Sequence, residues 1–281
     1  MSVNNAYLNF KYNPFKFYFI TILFTWAAYL TAAFFSYNES YALYKYGFIY
    51  LAVLVPFAVA MFMIYGSGSD ELKKNFLYRL FTLKLIKPKY LLFILLVMPC
   101  TVVLATAVSL LFGQPASQFA VLPGFSATSG ATIGLLIGVI LAPTFEELGW
   151  RGYGVDSLAK RGRTLFASTM MYALFWAIWH VPLFFINGYY HIQMLQANII
   201  YAVNFFVGIF PMAFLHNWMY YKNDRSIPAI ILFHAMDNLS MSVLQIEQFT
   251  RCIVTVILIV ISVVVLLKDR SLWLDRAWDT R

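Results

Sequence analysis

Eight apolar blocks recur along the chain: Phe17 to Phe35, Tyr46 to Tyr65, Tyr90 to Phe112, Ala131 to Trp150, Thr164 to Ile186, Leu195 to Tyr221, Ile227 to Ile246 and Cys252 to Leu267. Roughly 20 apolar residues cross a bilayer as a helix, so such a chain is expected to be an all-α, polytopic membrane protein. Composition agrees: 62% of residues are hydrophobic, 11% are charged and the mean hydropathy is +0.73, whereas soluble domains carry about 25% charged residues. The joints between blocks are too short for a separate soluble domain. One integral domain over residues 1–281 is therefore expected, a single bundle of about eight transmembrane helices. The last block has only 16 residues, but Arg251 and Lys268 flank it and can reach the headgroups on their alkyl stems. The first block is too long for a cleaved signal peptide and reads as an anchor. Cys100 and Cys252 lie in apolar runs without CxxC spacing, so neither a disulfide framework nor a cysteine metal site is indicated.

Orientation follows from the basic residues. Eighteen of the twenty lysines and arginines fall on the side that holds both termini, and only Lys45 and Arg251 fall on the other. Both termini are thus expected in the cytoplasm. The same bias accounts for the net charge of +8 through attraction to anionic lipids at the cytoplasmic face, with no nucleic acid as partner. Within the long basic loop, Asp70 to Lys87 interleaves basic and apolar residues, as either an interfacial helix or an ordinary loop would.

The 56 residues from Tyr90 to Phe145 carry no charge, and at their end stands Thr144-Phe-Glu-Glu-Leu-Gly-Trp-Arg-Gly152. Ionisable side chains in apolar helices are costly and mark function by default. Glu147 and Arg151, four apart, share a helix face and can form an ion pair, while Glu146 points about 100° away and stays free of it. A solvated helix end is the plain alternative. If the chain turns at Arg161-Gly162-Arg163, Glu146 and His180 are each 17 residues from Arg163, and so lie at one depth on antiparallel helices. A third block brings His234 and Asn238 to one face, with Asp237 on the next strip as a further acceptor for His234. His216, Asn217 and His191 have no comparable sequence partners and read as packing residues. No HExxH, GxSxG, P-loop or Gly-rich dinucleotide turn is present, and no internal repeat.

These residues resemble the CPBP family of intramembrane proteases, which includes type II CAAX prenyl endopeptidases and the bacteriocin-processing Abi proteins. The family pattern EExxxR, FxxxH and HxxxN or HxxxD is matched by Glu146-Glu147-Leu-Gly-Trp-Arg151, by Trp176-Ala-Ile-Trp-His180 with Trp in place of Phe, and by His234-Ala-Met-Asp-Asn238. The motif-bearing core covers about residues 128–246. The resemblance implies an intramembrane endopeptidase acting on a membrane-embedded or lipid-anchored peptide or protein. Glu146 with His180 would activate water, His234 and Asn238 would bind the oxyanion, and Arg151 would lock Glu147. Two cofactor readings stay open: none, or one divalent metal such as zinc on Glu146, His180 and His234. A non-catalytic scaffold or adaptor, and a proton-coupled transporter, are the rival functions. The expected location is the bacterial cytoplasmic membrane, multi-pass, and for a bacterial source a prenylated CAAX protein is not an expected substrate.

Overall fold

The computed structural model describes residues 10–123, 125, 130–160 and 164–274. Among them the elements are helical: α1 (Pro14–Ser36), α2 (Tyr44–Tyr65), α3 (Asp70–Phe81), α4 (Pro88–Leu110), α5 (Gly130–Gly149), α6 (Val155–Ala159), α7 (Leu165–His180), α8 (Tyr190–Ala197), α9 (Ile199–Lys222), α10 (Ile227–Val243), α11 (Gln248–Lys268) and α12 (Arg270–Leu274). Capping side chains set several starts: Asn13 accepts from the Lys16 N–H before α1, Ser69 from Leu72 before α3, Thr164 from Ala167 before α7 and Ser226 from Ala229 before α10. Each satisfies an N–H that the helix leaves unpaired.

Among the described residues, seven helices are long and apolar enough to cross a membrane. The seventh block gives α10, which at 17 residues is shorter than the block itself, because the chain leaves the helix after Val243. There it pairs with the loop after α4, Leu122 N–H to Val243 O at 2.9 Å and Gln245 N–H to Ala120 O at 3.1 Å. The final block instead extends to 21 residues, Gln248 to Lys268, since its polar leading turn is also helical. Between Leu195 and Tyr221 the run is broken at Asn198, whose extended backbone ends α8 and whose side chain caps α9. The basic loop does form a helix, α3, docked by Leu72, Asn75, Phe76 and Arg79. The turn expected at Arg161-Gly162-Arg163 lies outside the described residues.

Packing joins the long helices into a closed circuit: α1 lies against α2, α2 against α5, α5 against α10, α10 against α4, α4 against α11, α11 against α9, α9 against α7, and α7 touches α1. The approach of α5 to α2 depends on Gly149. A Cβ there would lie 2.7 Å from the Pro56 carbonyl oxygen, so only glycine admits the contact. Just beyond Gly149, residues Trp150–Gly154 widen into a π-helical turn before α6, a feature that recurs at functional sites. Polar contacts define two ends of the bundle. One gathers Lys87 with Asp224, Lys222 with Asp269 and Arg225 with Asp156, and the other joins Lys45 to Asn187 and Tyr190 to Gln248.

Candidate active site

Glu147 sits at the end of α5 with no solvent exposure. Its Oε2 accepts from Arg151 Nη1 at 2.7 Å, the expected i, i+4 pair, and its Oε1 meets His234 Nδ1 at 2.8 Å. Arg151, equally buried, also donates to the Tyr172 hydroxyl at 2.9 Å and to Asn217 Oδ1 at 3.0 Å. The Asn217 amide in turn donates to Thr169 Oγ1 at 2.9 Å. One ion pair is thereby held from α5, α7, α9 and α10, and the solvated-end reading of this stretch does not apply. It is Glu147, and not Asp237, that orients the His234 ring.

Glu146 stays outside that pair, as its angular position dictates. Its Oε2 accepts from the Trp176 indole N–H at 3.3 Å, and the residue retains 7% exposure. Trp176 stands at the centre of the cluster, its ring centroid 5.8 Å from His180 and 5.7 Å from both His216 and His234. Its carbonyl meets His180 Nδ1 at 2.7 Å. A carbonyl only accepts, so Nδ1 carries a proton, and the neutral imidazole keeps a bare Nε2. Glu146 and His180 are thus linked through a single residue that the sequence motif holds only as an aromatic position. Asn238, half-buried, follows His234 by one turn of α10.

Three residues read from the sequence as packing belong to this site. Asn217 holds Arg151. His216 donates from Nδ1 to Met212 O at 2.8 Å, leaving Nε2 buried without a partner. His191 is on α8, 9% exposed, with its ring 6.3 Å from that of His180 and both nitrogens buried and unpartnered. Burial and the His180 imidazole push its pKa down to about 3, so it is neutral. Tyr172, whose hydroxyl accepts from Arg151, was not legible either. The one sequence signal shared by these four is a polar atom in an apolar helical stretch.

The metal reading can be tested on the donor set. Among the described residues, the atoms that converge within 4.8 Å are those of Glu147, His216 and His234, not those of Glu146, His180 and His234. Both Glu147 oxygens are already taken by Arg151 and His234, and a divalent cation there would face the guanidinium. The converging set therefore does not suit a metal.

Below this cluster lies a second buried network. Arg79 of α3 donates to the π-turn carbonyls, Nη1 to Arg151 O at 2.7 Å and Nη2 to Gly152 O at 3.0 Å, and it pairs with Asp156 at 3.1 Å. Asp156 is also paired with Arg225 and accepts from Tyr220 and Tyr221.

Comparison with known proteins shows the family. Residues 128–240 match the family described as type II CAAX prenyl endopeptidase Rce1-like. The chain is also similar to the CAAX prenyl protease 2 of the archaeon Methanococcus maripaludis, with 36% identity over 268 residues that cover 95% of this chain and 98% of the relative.

Proposed function

Because this chain belongs to the CAAX prenyl endopeptidase family and is an intramembrane endopeptidase of that type, we propose that it cuts a prenyl-anchored protein near its C-terminus with water activated by Glu146 and His180. In this reading Glu146 takes a proton from the water, whose oxygen attacks the scissile carbonyl carbon. The bare Nε2 of His180 accepts a hydrogen bond from the water's other O–H, whose hydrogen stays on the attacking oxygen. Charge develops on the carbonyl oxygen, to which His234 Nε2–H and the Asn238 amide donate. Glu146 then passes its proton to the leaving amine as the C–N bond breaks.

The observation that carries the reading is the unequal treatment of two adjacent carboxylates. Glu147 is consumed by Arg151 and His234, whereas Glu146 has a neutral indole donor and some remaining exposure. Among the described residues no cation is hydrogen-bonded to Glu146, so it keeps more proton affinity than Glu147, which a base needs. With Nδ1 against Glu147, a protonated His234 would present Nε2–H to an oxyanion. The prenyl-anchored substrate is supported by the relative's description and by a site enclosed in apolar helices. We read the whole chain as one protease domain, with the end that bears α3 in the cytoplasm and its lysines against anionic lipid.

The test is mass-spectrometric detection of cleavage of a farnesylated peptide ending in Cys-aliphatic-aliphatic-Met by purified full-length protein. Cleavage is expected from wild type and a loss of roughly 10²-fold or more from Glu146→Gln, the scale of general-base removal. Equal turnover by both proteins would reject Glu146 as the base.

A further inference from the structure

Arg251 is one of two basic residues on the sparsely charged side, and its surroundings leave it underused. The other, Lys45, donates to Asn187 O at 3.0 Å. Arg251 lies in the first turns of α11, where the positive end of the helix dipole disfavours a cation. Its Nη2 donates to Met241 O at 3.0 Å, its guanidinium carbon lies 5.4 Å from the Tyr190 ring centroid, and its buried Nε–H has no acceptor. Among the described residues no carboxylate pairs with it: neither Glu247, four residues earlier, nor Asp237, which feels both Arg251 and His234, forms an ion pair there.

Two routes connect Arg251 to the site. Along α10, Met241 is seven residues beyond His234, which is about 10 Å at 1.5 Å per residue. Across α8, the ring of Tyr190 is followed by His191, whose unpartnered, buried imidazole stacks on His180. Arg251 is thus one layer beyond the histidines that flank the reacting bond. Three residues of extended peptide also span about 10 Å.

Resting on the protease reading above, we propose that Arg251 binds the substrate's C-terminal carboxylate, and so fixes cleavage three residues from the chain end, with His191 pairing the intervening peptide groups. A guanidinium fork matches a carboxylate in shape and charge, and a polar tail supplies the partners that Nε of Arg251 and the ring of His191 lack. Neutral His191 can donate to a peptide carbonyl and accept from a peptide N–H.

The experiment measures binding of a fluorescent farnesylated peptide, as free acid and as carboxamide, to full-length Glu146→Gln protein in nanodiscs. The acid should bind about 10- to 100-fold more tightly than the amide, the scale of a charge-assisted hydrogen bond. Adding Arg251→Gln should bring the two to equal affinity without altering the melting temperature, and lengthening the tail by one residue should weaken binding in the single variant only. Equal affinity with Arg251 present, persistence of the acid preference without it, or binding of neither peptide would overturn the proposal. Cleavage of the acid peptide by wild type is scored separately. An acid preference without cleavage sinks the protease reading and leaves the carboxylate site standing, while cleavage without acid preference does the reverse.

Discussion

At Glu147 both carboxylate oxygens already have charged or N–H partners, Arg151 at 2.7 Å and His234 at 2.8 Å, so its role is to fix geometry and balance charge. Glu146 accepts from the neutral Trp176 indole at 3.3 Å, and in the proposed mechanism it is the carboxylate that exchanges a proton. The two glutamine variants should therefore fail differently. Glu146→Gln should keep the wild-type melting temperature and lose turnover, whereas Glu147→Gln should lower the melting temperature, since it leaves Arg151 buried without its anion. If thermal melts show both variants as stable as wild type, Glu147 does not carry the ion pair's burden. Arg151→Ala is the complementary cut. Breaking a fully buried pair from one side costs about 3–5 kcal/mol, and detergent denaturation should read a loss of that size. A variant as stable as wild type would mean that Tyr172, Asn217 and Arg151 are not a structural unit.

At the scale of elements, the π-turn Trp150–Gly154 is the device that connects the Glu146–Glu147 end of α5 to the rest of the bundle. Arg79 reaches it from α3, 72 positions earlier in the chain than Arg151, and donates to Arg151 O and Gly152 O. Charge balance does not require Arg79, because Asp156 would still have Arg225. What Arg79 contributes is the grip on two carbonyls of the turn that bears Arg151. Arg79→Gln should consequently lower kcat while leaving KM and insertion nearly unchanged, by as much as roughly 10²-fold if the site moves by about 1 Å. Arg79→Lys, a single ammonium nitrogen instead of a planar fork, should recover part of the rate. An unchanged kcat in Arg79→Gln would show that the turn holds its shape without α3.

For the whole molecule, the closed circuit of eight helices puts α5, α7, α9 and α10 around one polar cluster while their outer faces carry exposed apolar residues such as Leu141, Leu174 and Val203. The bundle also has two chemically different ends, and the basic one holds α3, Lys87 and Lys222. The charge bias predicts that reporter fusions after Lys89, after Arg163 and at the C-terminus all report cytoplasm. An outside signal from any of them would break the topology, and would put the Arg251 end, not the α3 end, in the cytoplasm.

The linear order of residues was enough for the membrane-spanning character, for the helix positions within a few residues and for the three motifs, because hydropathy and i, i+4 spacing are local properties. The pair Glu147–Arg151 belongs to this group: one helix sets its geometry. So does the separation of Glu146 from that pair. Everything that required two helices to meet was decided by packing. Asp237 is three residues from His234, yet Glu147, 87 residues away, is its partner, because α5 and α10 lie side by side. Asn217 and Tyr172 look like ordinary polar residues until α7 and α9 bring them onto Arg151, and His191 is in an outer stretch until α8 lays it on His180. The physical reason is that sequence spacing specifies which side of a helix a group occupies, whereas the neighbour that side meets is set by which apolar faces fit together across the bundle.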